Sequence, residues 1–187
     1  MADVHTPEQH FQVSGPELHR HVRALCWKMN EQYPKVLRGI KAIAGVSRGG
    51  LAPMGYFARE LEIRLCDTLC VASYHSYQKR GKLQILKDLH PDVLKAIGPK
   101  GEGLLIVDDL VDSGNTFRIL QKHYPNAFYI ALYTKPEGKR TVQLSFLGVS
   151  QETWIYLPWD CDAVTLQYVP PIIESINKTK RRRKSAK

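Results

Sequence analysis

The chain has 187 residues, 43% of them hydrophobic and 24% charged, the composition of an ordinary globular protein with one main domain. No apolar run approaches the ~18–20 residues that span a bilayer. The opening MADVHTPEQHFQVSG has neither the basic nor the apolar region of a secretory signal, so a cytoplasmic setting is expected. Of the net charge of +9, seven positive charges lie in the last ten residues, KTKRRRKSAK. The body is nearly neutral, which argues against a nucleic-acid-binding face. The tail reads first as a solvated extension, and second as a contact for RNA or for an anionic membrane surface on the inner face of the cell membrane.

In chain order, Ser14 stands three residues before Glu17, a capping-box spacing, with Pro16 in the first turn. Leu18, Val22, Leu25 and Met29 then share one helical face. GIKAIAGV (39–46) reads as a strand ending at SRGG, and LAPMGYFARELEI (51–63) as a helix. LCDTLCVASY (65–74) is the next strand, and the polar, basic segment 75–103 reads as a mobile excursion. LLIVDD (104–109) is a continuous apolar run closed by acids, of the kind buried in a parallel sheet. GNTFRILQKHYP (114–125) is a helix stopped by Pro125, and AFYIALYT (127–134) another strand.

Strands alternating with helices predict an α/β fold with a central, mostly parallel sheet flanked by helices. In such sheets ligands bind beyond the carboxyl ends of the strands, and SRGG, DDLVDSGNT and KPEG all follow strand ends. The four cysteines form no disulfide framework. Cys66 and Cys70, four apart on a strand, lie roughly 13 Å from each other, too far to share a metal. His19 and His21 diverge on their helix, and the cysteines read as reduced core residues.

DDLVDSGNT concentrates the chemistry. Asp108 and Asp109 are expected at the rim of the sheet. Asp112, Ser113, Gly114, Asn115 and Thr116 form a small polar turn whose free amides and helix start suit an anion. Acids beside an anion cradle fit a ligand with vicinal hydroxyls and a phosphate, such as a ribose 5-phosphate. The plainer alternative, Asp112 or Ser113 as a helix cap with the other acids solvated, suits a lone DxSG better than this whole string.

LLIVDDLVDSGNT resembles the ribosyl-diphosphate loop of the type I phosphoribosyltransferases. AGVSRGGLAP, ARELEIR, DTLCVASY, YTKPEG and ETWIYLPWD follow the order found in members acting on 6-oxopurines, over roughly residues 39–171. The resemblance implies transfer of ribose 5-phosphate from 5-phosphoribosyl diphosphate (PRPP) to N9 of xanthine, guanine or hypoxanthine, with Mg²⁺ as cofactor. It implies one domain over 1–176, with a small hood from 1–35 and 145–172, a flexible loop about 75–100 and a basic tail over 177–187. A homo-dimer or homo-tetramer is also implied.

On the same basis Asp109 and Asp108 take the ribose hydroxyls, Asp109 also meets the metal, and Asp112 lies near purine N7 as a general acid/base. Ser113, Gly114, Asn115 and Thr116 cradle the 5′-phosphate; Ser113 and Asn115 stand where a related enzyme carries Thr and Gly. Ser47, Arg48 and Gly49 form the diphosphate site, with a non-proline cis peptide expected at Ser47–Arg48, and Arg80 reaches the diphosphate from the flexible loop. Lys79 and Lys82 are alternatives to Arg80. Lys135, Trp154 and Ile155 meet the purine, and Asp160 a second metal. An ammonium only donates, so Lys135 favours a carbonyl at purine C6 over the amino group of adenine; mismatched buried donors reject an analogue by ~10⁴-fold or more. Competing expectations are a nucleic-acid-binding regulator on the same fold, another PRPP enzyme, and a response-regulator receiver.

Overall fold

The computed structural model describes residues 10–76 and 79–160, without the side chains of residue 10 and of residues 73–82. The tail and Cys161 lie outside these residues, as do 1–9 of the predicted hood. Strand β1 (His10–Gln12) leads into helix α1 (Gly15–Gln32). Its start is fixed by sequence chemistry. The Ser14 hydroxyl accepts from the Glu17 amide, and the Glu17 carboxylate accepts from the Ser14 amide at 2.8 Å, so two amides without helical partners are satisfied reciprocally. Leu18, Val22, Leu25 and Met29 are buried, as their spacing predicts, together with Cys26.

A short helix α2 (Pro34–Gly39) takes the start of the segment predicted as a strand from 39, and β2 runs over Ala42–Ser47. Helix α3 (Leu51–Glu60), strand β3 (Cys66–Ser76) and strand β4 (Lys79–Lys87) follow. Helix α4 (Pro91–Ala96), strand β5 (Leu104–Val111), helix α5 (Asn115–His123), strand β6 (Phe128–Thr134), strand β7 (Leu144–Gly148) and strand β8 (Trp154–Tyr156) complete the described fold.

Six strands form one sheet in the order β4-β3-β2-β5-β6-β7, parallel except for the β3–β4 hairpin. The central strands bury both faces. Leu105 and Val107 pack with Ile43, Phe57 and the buried face of α1, whereas Leu104 and Ile106 pack with Ala42, Ala44, Phe117 and Leu120. Period-2 alternation thus divides one apolar run between two helical layers. β1 and β8 pair in a separate two-stranded parallel sheet. Residues 144–148, which include the start of the predicted hood, instead form the edge strand of the main sheet, against which α1 also packs.

The described part of the expected excursion over 75–103 packs in part against the core. Most of it is regular: β4 pairs with β3, and Leu89, Val93 and Ile97 are buried in the core beneath α5. Val93 lies in α4, with Leu89 just before the helix and Ile97 at its C-cap. The surrounding lysines and glycines obscured these apolar positions. The cysteines divide as well: Cys26 is buried, whereas Cys66 is exposed, against its expected place in the core. His19 and His21 point apart, to Glu60 and to the Tyr133 hydroxyl respectively.

Candidate active site

Three adjacent strands, β2, β5 and β6, end side by side, and each releases a polar turn at its carboxyl end. After β2, the Ser47–Arg48 peptide is cis, as expected. Ser47 turns its hydroxyl away to donate to the Leu69 carbonyl at 3.1 Å. Arg48 and Gly49 then line a cavity of about 880 Å³ with Leu51, Ala52, Asp109, Trp159 and Asp160. The resemblance had assigned Arg48, Gly49, Asp109 and Asp160 to the diphosphate and metal. The fold brings these four to one cavity.

The acids after β5 sit differently from the sequence expectation. The strand does not close at Asp109 but continues to Val111. Asp108 and Asp109 are therefore within the strand, partly buried, and not at a solvated rim. The alternation shifts phase across them: Leu110 packs toward α1 and Val111 toward α5, the reverse of what residues 104–107 would continue. Each carboxylate also binds backbone, Asp108 accepting from the Asp109 amide at 3.0 Å and Asp109 from the Leu110 amide at 2.7 Å.

Burial, and next the charge of Asp109, pushes the Asp108 carboxyl well above the ordinary carboxylate range. Burial also raises Asp109, and the Asp160 charge acts in the same direction. Asp109 lines the cavity and Asp108 does not.

The turn after β5 is an uncapped helix start. The N-cap is Gly114, at φ +79°, which has no side chain to cap the first amides of α5. Neither Asp112 nor Ser113 is the N-cap residue. A left-handed φ favours glycine, and a Cβ there would also press on Thr141 at 2.8 Å. Ser113 makes only a long 3.5 Å contact with the Asn115 amide. The Asn115 side chain is turned back to accept from Arg118 at 2.8 Å, so its bulk does not fill the turn. Thr116 follows in the first turn of α5, partly buried.

After β6, Lys135 is 8% exposed, with its amide bonded to the Val111 carbonyl. Its ammonium lies 3.5 Å from the Asp112 carboxylate, whose other oxygen accepts from Gln151 at 2.5 Å. Trp154 is 53% exposed, not the core aromatic that a tryptophan usually becomes, and Ile155 beside it is buried. Arg80 lies on β4, but its side chain is outside the described residues. Gln151 and Arg118 were not foreseen; neither belongs to a pattern with a periodicity or a spacing of its own.

Among the described residues, no group of three or more His, Cys, Asp or Glu could hold a metal ion, and no helix is long and apolar enough to cross a membrane. Residues 13–165 match the phosphoribosyl transferase domain family. The chain is 42% identical over 168 residues to the xanthine-guanine phosphoribosyltransferase of Roseobacter denitrificans, covering 88% of this chain and 91% of that one. Its fold is similar to that of a purine phosphoribosyltransferase from Pyrococcus horikoshii, with a TM-score of 0.60 at 22% identity over 87% of this chain and 99% of that one. A xanthine-guanine-hypoxanthine phosphoribosyltransferase from Helicobacter pylori superposes with a TM-score of 0.63 at 21% identity, over 81% and 94% of the two chains.

Proposed function

The chain belongs to the phosphoribosyl transferase family, and from that premise we propose that it is a purine-salvage enzyme moving ribose 5-phosphate from PRPP to N9 of xanthine, guanine or hypoxanthine. One observation carries the acceptor class: a buried lysine and an acid, Lys135 and Asp112, meet at the ends of two adjacent strands. The pair offers donors to a C6 carbonyl and an acceptor to a ring N–H, the complement of a 6-oxopurine edge.

In this reading the bond from C1 of the ribose to the diphosphate breaks, its electron pair leaving on pyrophosphate. N9 then bonds to C1, and the proton the purine gives up passes to Asp112. Arg48 supplies a permanent forked cation to the diphosphate, and Gly49 lets the backbone approach it. The amides of 113–116 hold the 5′-phosphate, while Asp108 and Asp109 take the ribose hydroxyls. Trp154 stacks on the purine, and the backbone at Ile155 meets its 2-position. Arg80, with Lys79 or Lys82 as alternatives, reaches the diphosphate.

The donor set fits Mg²⁺. Asp109 and Asp160 present hard carboxylate oxygens to one cavity. Asp109 would hold the ion and Asp160 a second one; metal bound there would supply charge neutralisation for the departing diphosphate. The reading extends to a homo-dimer or homo-tetramer in the cytoplasm, and to a contact of the basic tail with RNA or an anionic membrane.

Pyrophosphate release from PRPP with magnesium, measured separately with xanthine, guanine, hypoxanthine and adenine, tests the assignment. Turnover with one or more of the 6-oxopurines, and little with adenine, is expected. Silence with all three 6-oxopurines would overturn the reading and favour a nucleic-acid-binding regulator on this fold.

A further inference from the structure

Asp112 is an exposed side chain, so packing does not choose its rotamer. Two polar contacts do. Lys135 lies on one oxygen at a loose 3.5 Å, and the Gln151 amide donates to the other at 2.5 Å. Gln151 is itself anchored, accepting from the Glu137 amide through a long 3.4 Å contact. A carboxylate only accepts, so the NH₂ side of the Gln151 amide must face Asp112 and its oxygen must face Glu137. Glu137 is held from its other side, its carbonyl accepting from Arg118 at 3.3 Å. Arg118 also donates to the Ser113 carbonyl at 2.8 Å. The phosphate turn, the Lys135 turn and the segment before β8 are thus tied together through one residue, Glu137.

A neutral donor on one carboxylate oxygen has a specific consequence. Without it, attraction would draw Asp112 fully onto Lys135, and each group would be lost to the other. A second cation in place of Gln151 would neutralise the acid, and a second acid would repel it.

Resting on the reading of Asp112 and Lys135 as the purine-binding pair, we propose that Gln151 is a positioning residue that holds the Asp112 carboxylate short of closure on Lys135, so that the acid faces the purine ring and the ammonium stays free for the C6 carbonyl. Its effect falls on the base and not on the sugar phosphate.

The test is a cycle of Gln151→Met, which conserves volume and removes both polar atoms, with Asp112→Ala, assayed by steady-state kinetics in both substrates. Gln151→Met should raise KM for guanine about tenfold, lower kcat, and leave KM for PRPP within about twofold. In the Asp112→Ala background the same change should add less than about twofold. An equal rise in both KM values would signal general loosening and overturn the proposal. So would wild-type kinetics in Gln151→Met, or an undiminished effect once Asp112 is gone. If Asp112→Ala alone keeps full turnover, the role of Asp112 falls and takes this inference with it.

Discussion

Gly49 packs its backbone so tightly against Asp109 that a Cβ at position 49 would fall within the space of that carboxylate. The glycine after the cis peptide and the acid in the middle of β5 are therefore one steric unit, though sixty residues separate them in sequence. A methyl group at 49 can be accommodated only by moving Asp109. Displacing a positioning group by about 1 Å costs about 10²-fold in rate, so Gly49→Ala should lower kcat/KM for PRPP by about that factor. Near wild-type efficiency in the variant would show that the position of Asp109 has no bearing on turnover.

Lys135 is buried beside Asp112, and on the proposed reading its removal should be felt in the acceptor alone. Hydrogen bonds from a charged donor are worth about 1.5–3 kcal/mol, so Lys135→Met should cut kcat/KM for guanine about 10- to 100-fold. KM for PRPP should change by less than about twofold. A matching loss in both substrates would remove Lys135 from the specificity role.

The side chains of the α1 capping box bond each other and none of the proposed site residues, which predicts a stability effect. Ser14→Ala removes the hydroxyl that accepts from the Glu17 amide. The expected cost is about 1 kcal/mol, read as a fall of about 2–4 °C in Tm for a domain of this size. Turnover at 25 °C should not change. An unaltered Tm would mean that the box contributes nothing to the folded state.

Asp67 predicts a pH dependence of stability. Burial acts to raise its carboxyl, but hydrogen bonds from the His90 amide, from Lys87 and from the Thr68 amide outweigh it, and the net shift is downward. A carboxyl lowered in the folded state contributes stability that is complete above its unfolded value of about 3.9 and lost as pH falls through the folded one. The gap between wild type and Asp67→Asn in urea unfolding should therefore be widest near about pH 6 and close toward about pH 2–3. A gap that stays constant over this range would exclude Asp67 as the source.

Local patterns in the chain were enough for much of the architecture. The Ser14–Glu17 spacing set the start of α1, and one apolar run announced a strand buried on both faces. The loop DDLVDSGNT, with VSRGG and ETWI, carried the family and named the groups that gather at the strand ends. Those features are short-range, because caps, periodicity and loop chemistry depend on neighbours within a few residues.

Only the tertiary structure decided the rest. Whether segment 75–103 was loop or core depended on whether Leu89, Val93 and Ile97 had a helix to pack beneath. Whether Asp108 and Asp109 stood at a rim or inside the strand depended on how far β6 continued to pair beside them. Gln151 reaches Asp112 because β5, β6 and the segment before β8 converge in space. A side chain's partner across such distances is chosen by packing and chain topology, and no window of neighbouring residues contains that information.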